Sequence, residues 1–376
     1  MIAYRKDWLR NLAVNLEAKS ALEKQLITEQ ERVAIGQQYP VGFYMPHYFI
    51  RLGLFFLTLL VICFLVALLG FFVFDLNESS LKTLAFVTAL AAYISLEWVV
   101  KTKLHYASGI DDGLMWAAIF AFVIGGWAVF DLTDYNIALL AFFVCGFFAL
   151  RFVDILVSLM AWAALASFFY FTLIKMGMAD LIPFILMGYA AVSYFLLRKF
   201  NIDRLSNYYY IPGKLLEYFS LFLFYASGNY FVVRELQQLI STDKTPIFLY
   251  GNIFWALTFI VPLFYIFFGI RRRNRLFIHC GVLLIAAIVF TWRQYHYLMP
   301  LEICLTISGA ILIAACWSLF HYLKLPKHGF SSRSAAGLPA TDNDALIVSE
   351  TFQPQEEITP RFGGGSFGGG GTTGSY

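Results

Sequence analysis

Charge is scarce in this chain. Asp, Glu, Lys and Arg make up 14% of its 376 residues while 60% are hydrophobic, against roughly 25% and about 45–50% in ordinary soluble domains. That balance excludes a soluble globule. Length alone would allow two or three domains, but the apolar residues fall into runs of about 16 to 26 residues, the length that crosses a hydrocarbon core of about 30 Å. The chain reads as a polytopic membrane protein. Cysteine is also sparse: Cys63, Cys145, Cys280, Cys304 and Cys316 all lie inside apolar runs with no C-x-x-C pair, so neither a disulfide framework nor a zinc site is indicated. They act as small hydrophobes. No H-E-x-x-H, G-x-S-x-G or phosphate loop is present, which removes the common signatures of metalloproteases, serine hydrolases and nucleotide enzymes. No cofactor or metal is called for. The net charge of +3, from 27 basic and 24 acidic residues, is too balanced for a nucleic-acid binder.

What is present is a succession of spans. Ten apolar segments are expected at 52–74, 83–100, 114–130, 135–150, 155–174, 181–197, 215–233, 247–270, 276–292 and 298–323. The fold class is therefore all-α, a transmembrane bundle of about ten helices over residues 49–323. Only four residues, 151–154, separate spans four and five, so a re-entrant pair is the alternative there. Cytoplasmic loops concentrate Lys and Arg. With the N-terminus inside, 22 of the 27 fall on that side and five on the other, which puts both ends in the cytoplasm.

Residues 1–50 are too polar and too long for a signal peptide, and 1–48 are expected to form a cytoplasmic amphipathic helical segment. They hold an amphipathic segment with Trp8, Leu9, Leu12, Leu16 and Leu22 near a 3.6-residue period, expected to lie on the membrane or the bundle. A second helix should begin at Thr28-Glu29-Gln30-Glu31, a capping box in which hydroxyl and carboxylate satisfy free amides. Residues 324–376 change composition, rich first in Ser, Ala, Pro and acids and then in Gly, and are expected to be disordered. The last fifteen residues hold eight glycines punctuated by Phe362, Phe367 and Tyr376.

Ionisable residues inside a membrane cost about 2.5–3.5 kcal/mol each on insertion scales, so their depth matters. None falls near the middle of any span, which argues against an ion-coupled transporter. Glu97, Arg151, Asp154 and Glu217 sit at the cytoplasmic ends. The plain reading is interfacial charge that snorkels or pairs, Glu97 with Lys101 and Arg151 with Asp154. The functional one is a polar vestibule in which Glu217 shares a helix sector with Ser220, Ser227 and Gly228. On the outer face Arg293, His296 and Glu302 lie among Trp292, Tyr295 and Tyr297, either an aromatic belt with an ion pair or a small-molecule or partner site. His296 has no second histidine at ligand spacing, so no metal site is indicated there. Pro183, Pro262 and the Gly125-Gly126 pair are positions where helices could be interrupted.

The stretch LEKQLITEQERVAIGQQYP at 22–40, followed by a long run of spans, resembles the N-terminal signature of bacterial multi-pass proteins grouped as domains of unknown function, and residues 293–305 resemble a late span of similar proteins. That resemblance implies a bacterial inner membrane and transfers no activity. The tail 362–376 is similar to the Gly-rich C-termini of bacterial TPM-domain membrane proteins, with Tyr376 where Trp is usual, although no TPM domain is present.

Three functions are then in play. The first is a scaffold or accessory subunit, without catalysis, whose cytoplasmic tail is read by a protein partner through strand addition or terminal-carboxylate capture. The second is a transporter or channel for a neutral or weakly polar solute. A lipid-modifying enzyme using Arg293, His296 and Glu302 ranks last, because no nucleophile–base pair is visible.

Overall fold

The structure, a computed structural model, describes residues 2–72, 78–199, 207–240, 250–272, 274–295 and 301–322. Among the described residues there are thirteen α-helices, two single-turn 3-10 segments and one isolated bridge, between Tyr44 and His105. They divide into two units, each taken by itself: residues 2–13 with Pro40–Leu319, and residues 14–39 with 320–322.

The smaller unit is a helical turn. Helix α1 (Lys6–Glu23), whose residues 14–23 belong to this unit and whose first turns belong to the larger one, ends before Gln25, whose φ of 60° reverses the chain, and α2 (Glu29–Gln38) begins at the expected capping box. The Thr28 amide donates to Glu31 Oε2 at 2.6 Å and the Glu31 amide to Thr28 Oγ1 at 3.3 Å, so two otherwise orphaned donors are satisfied reciprocally. Asn15 Nδ2 donates to the Tyr39 carbonyl at 2.8 Å, which closes the α2 end back onto α1. Of the expected apolar stripe on α1, Leu9 is buried and Leu16 is exposed.

In the larger unit the helices follow the apolar runs: α3 (Tyr48–Phe72), α4 (Glu78–Thr102), α5 (Ile110–Phe130), α6 (Asp134–Phe152), α7 (Ile155–Lys175), α8 (Ile182–Lys199), α9 (Tyr210–Gly228), α10 (Tyr230–Ile240), α11 (Gly251–Arg272), α12 (Arg275–Tyr295) and α13 (Leu301–Tyr322). Eight are long and apolar enough to cross a membrane: α3 to α8, α11 and α12. The protein thus carries multiple apolar helices compatible with a multi-pass membrane fold. Sequential helices pack as pairs, α4 with α5, α6 with α7, α8 with α9 and α11 with α12.

Spans four and five are two separate helices of 19 and 21 residues, about 28 and 31 Å long at 1.5 Å per residue. Their turn is built from a left-handed Val153, φ 56°, followed by Asp154, whose carboxylate caps α7 by accepting the Val157 amide at 2.8 Å. The expected seventh span, 215–233, is corrected: it breaks at Asn229, whose extended backbone separates α9 from α10. Gly125-Gly126 lies within an unbroken α5, Pro183 sits in the first turn of α8, where a missing amide costs nothing, and Pro262 lies inside α11.

Two aromatic-rich cores result. One joins Leu96, Ile119, Phe148, Phe152 and Val157 of α4 to α7 with Tyr4, Leu9 and Phe43 of the N-terminal segment; the other joins Tyr194, Tyr225, Tyr265, Phe277 and Cys280 of α8, α9, α11 and α12. The entry to α5 depends on Gly109, with φ 92°, because a Cβ there would overlap the Arg51 carbonyl of α3. Gly109→Ala is therefore expected to destabilise the protein by roughly 1–3 kcal/mol through a strained left-handed residue, whereas Gly53→Ala, with open space around it, should be neutral or stabilising. Thermal unfolding in mild detergent compares the two; equal losses would refute the close approach.

Candidate functional site

The polar groups of the larger unit gather at three places. The first is the junction of α4, α6 and the N-terminus. Glu97 of α4 accepts Arg151 Nε at 2.7 Å on Oε1 and an Arg151 terminal nitrogen at 3.0 Å on Oε2, the two-point geometry that makes Arg–carboxylate pairs strong. Lys101 Nζ lies 2.7 Å from the same carboxylate and the Tyr93 hydroxyl donates to it at 3.1 Å. The expected Glu97–Lys101 contact is present. The expected Arg151–Asp154 pair is corrected: Arg151 turns to Glu97, 54 positions away, because helix packing supplies a bidentate partner, while Asp154 is committed to its cap. The Arg151 carbonyl in turn accepts the Ala3 amide at 2.9 Å.

Next to it lies a set of groups that sequence reasoning missed. Asp111, only 2% exposed in the first turn of α5, accepts the Ser108 amide at 2.8 Å and the Ser108 hydroxyl at 3.0 Å on Oδ1, and the Tyr4 hydroxyl at 3.5 Å on Oδ2. His105 Nδ1 is 2.8 Å from Ser108 Oγ. Asp112 Oδ2 accepts Arg51 Nε at 2.8 Å and an Arg51 terminal nitrogen at 2.8 Å. The legible signal was Ser108-Gly109-Ile110-Asp111, an S-x-x-D ahead of an apolar run. The site's other half comes from outside the spans: Tyr4 sits edge-on to Phe43, Tyr106 and Phe152. Burial and the neighbouring carboxylates of Asp111 and Asp112 push the Tyr4 hydroxyl well above its usual pKa, and Tyr106 rises for the same first reason. The N-terminal segment is thus tied to the start of α5 and the end of α6.

The second place is the start of α9. Glu217 is 4% exposed and lies 3.2 Å from Lys214 Nζ. Ser220, Ser227 and Gly228 share its buried face, and the Ser220 hydroxyl donates to the Leu216 carbonyl at 2.7 Å. The third is the α9–α10 break. Asn229 Nδ2 donates to the Tyr225 hydroxyl at 2.8 Å and to Thr291 Oγ1 of α12 at 3.0 Å, while its Oδ1 accepts the Phe231 amide at 3.0 Å. Thr258 Oγ1 of α11 accepts the Tyr230 amide at 3.0 Å. The sequence signal was the small polar triplet Ser227-Gly228-Asn229 inside an apolar run. Around it Tyr230 stacks on Trp255 at 4.7 Å, and Trp292 and Tyr295 pack edge-on against Trp255.

Of the expected outer cluster, Arg293 lies in the last turn of α12 and Glu302 is exposed in the first turn of α13. His296 lies outside the described residues, as do Phe362, Phe367 and Tyr376 of the tail. Among the described residues no three His, Cys, Asp or Glu side chains gather as metal ligands. No protein-family model matches the chain, and neither a curated protein nor a solved structure matches it.

Arg151→Leu, which leaves Glu97 without its bidentate partner, is expected to cost about 2 kcal/mol, and adding Glu97→Gln should recover part of that loss because the stranded charge is removed. A double-mutant cycle by thermal unfolding measures the coupling; additive losses would contradict the pair. Burial raises the Asp154 carboxyl above its usual range, against the pull of the Val157 amide. Its proton is then held more tightly folded than unfolded, so the stabilisation is complete below the ordinary aspartate range and is lost as pH rises through the raised value. Asp154→Asn keeps a capping oxygen and should flatten the decline in stability from about pH 4 to 7.

Proposed function

We propose that the protein is a ten-span component of the bacterial inner membrane, both ends cytoplasmic, that acts as a scaffold or accessory subunit whose tail, 324–376, is bound by a cytoplasmic protein. The observation that carries this reading is the use made of the charges at the helix ends. Glu97 with Arg151 and Asp112 with Arg51 each join two helices, and Glu217 with Lys214 closes the start of α9. Charges spent on bracing suit a bundle whose task is to hold its shape and display its ends. The ten spans are the eight apolar helices with α9 and α13, of 19 and 22 residues; the uneven distribution of Lys and Arg and the resemblance at 22–40 support the orientation and the membrane. The tail supplies the recognition chemistry, a segment rich in Ser, Pro and Gly that carries the aromatic side chains of Phe362, Phe367 and Tyr376.

Affinity purification in mild detergent tests this, with the intact chain and a version ending at Thr359, followed by mass spectrometry of co-eluting proteins. A partner lost with the tail is expected. Unchanged co-purification from both would end the scaffold reading.

A second reading, passage of a neutral or weakly polar solute, is favoured by one feature, the broken α9–α10 helix with Tyr225, Asn229, Thr258 and Thr291 at its break. Discontinuous helices form solute sites in many transporters. On that reading, saturable flux into proteoliposomes falls several-fold in Asn229→Ala; flux indifferent to the substitution would remove the path.

A further inference from the structure

The four helices of the second aromatic core carry cations at one shared end. Arg198 and Lys199 close α8, Lys214 lies near the start of α9, Arg271 and Arg272 close α11, and Arg275 opens α12. Aromatic packing beneath them draws these ends together. Tyr194 sits edge-on to Phe277 at 5.5 Å and Phe277 edge-on to Phe268 at 5.0 Å, and the two outer rings each carry a guanidinium, Arg198 at 6.0 Å from the Tyr194 ring and Arg272 at 5.8 Å from the Phe268 ring. Of the six cations only Lys214 has a carboxylate partner among the described residues, Glu217. The first half of the bundle is built differently. At the ends of α3 to α6 the cations Arg51, Lys101 and Arg151 are matched by Asp112 and Glu97.

These cations keep donors to offer. Arg198 spends one N–H on the neutral Tyr194 hydroxyl, at 2.6 Å, out of the five that a guanidinium has, and Arg198, Lys199, Arg271, Arg272 and Arg275 are all exposed. Directly beneath them the same helices are apolar and exposed, with Phe195 and Leu196 on α8 and Phe267 and Ile270 on α11. Long cationic side chains above an apolar, lipid-facing surface reach headgroup depth. We infer that this end of α8, α9, α11 and α12 binds the phosphates of acidic phospholipid headgroups, with the acyl chains lying on the exposed faces of α8 and α11. A ligand that is anionic at one end and apolar along the rest meets both features, whereas an acidic protein would meet the cations alone. The attraction acts within about one Debye length of the surface. The inference rests on these helices spanning a membrane and is independent of the tail and of any transport.

The test counts bound lipid by native mass spectrometry on the full-length protein, delipidated in mild detergent and given phosphatidylglycerol or phosphatidylcholine with the same acyl chains. Phosphatidylglycerol should survive activation that strips phosphatidylcholine. Arg271→Gln with Arg275→Gln, and separately Lys199→Gln with Arg271→Gln, should each lower phosphatidylglycerol retention about tenfold, with the unfolding temperature unchanged because these exposed side chains have no carboxylate partner among the described residues. Arg271→Lys with Arg275→Lys keeps the charge and should retain most of the lipid. Lys19→Gln with Lys24→Gln removes the same charge from exposed positions of the smaller unit and should change nothing. A chain ending at Thr359 should hold the same lipid, so failure of the tail reading leaves this count unmoved. Equal retention of the two lipids would overturn the site, as would equal losses in the Lys19→Gln, Lys24→Gln control, since the effect would then be one of net charge. Full retention by both folded Gln pairs would also overturn it and leave the cations to an acidic protein.

Discussion

The larger unit hangs on Arg151. Its guanidinium binds both oxygens of Glu97, so α6 is fixed to α4, and its carbonyl accepts the Ala3 amide, so the N-terminal segment is fixed to α6. Two residues on, Val153 takes the left-handed conformation and Asp154 caps α7. A single short stretch therefore sets the positions of two neighbouring helices, a turn and a chain end. The arrangement is possible because the pair sits near the helix ends: an isolated charge deep in hydrocarbon is costly, whereas a bidentate pair supported by Lys101 and Tyr93 leaves little of either charge unmatched.

Once Ala3 is held, Tyr4 has no freedom to leave the ring of Phe43, Tyr106 and Phe152, and its hydroxyl reaches Asp111. Asp111 in turn closes the Ser108 loop that delivers Gly109 against Arg51. The first turn of α3 is thereby clamped to α5, and an apolar groove is left between these two helices and α4. In the second half the corresponding device is uncharged. Asn229 uses its amide and carbonyl oxygen to knit the broken α9–α10 junction to α12, and Thr258 does the same from α11. Every backbone group freed by a break within an apolar bundle needs such a partner.

Much of this was legible in sequence. The apolar runs mark the helices, and the T-x-x-E at 28–31 marks a helix start that the structure reproduces bond for bond. The Glu97–Lys101 contact was legible because it lies within one turn. Asp111 and Asp112 were not legible as a site, because their partners Tyr4 and Arg51 are 107 and 61 residues away. The break at Asn229 was missed because hydropathy averages over it.

What the sequence determined by itself is local: which segments are apolar, where helices start, and which charges lie one turn apart. These follow from hydrogen bonds and side-chain spacings within about four residues along the chain. What only the tertiary structure decided is the choice between competing partners, Arg151 with Glu97 instead of Asp154, Tyr4 with Asp111, Asn229 with Thr291. Each depends on how closely two helices approach and on which side of each faces the other, and in an apolar bundle a polar group takes the partner that packing brings within reach.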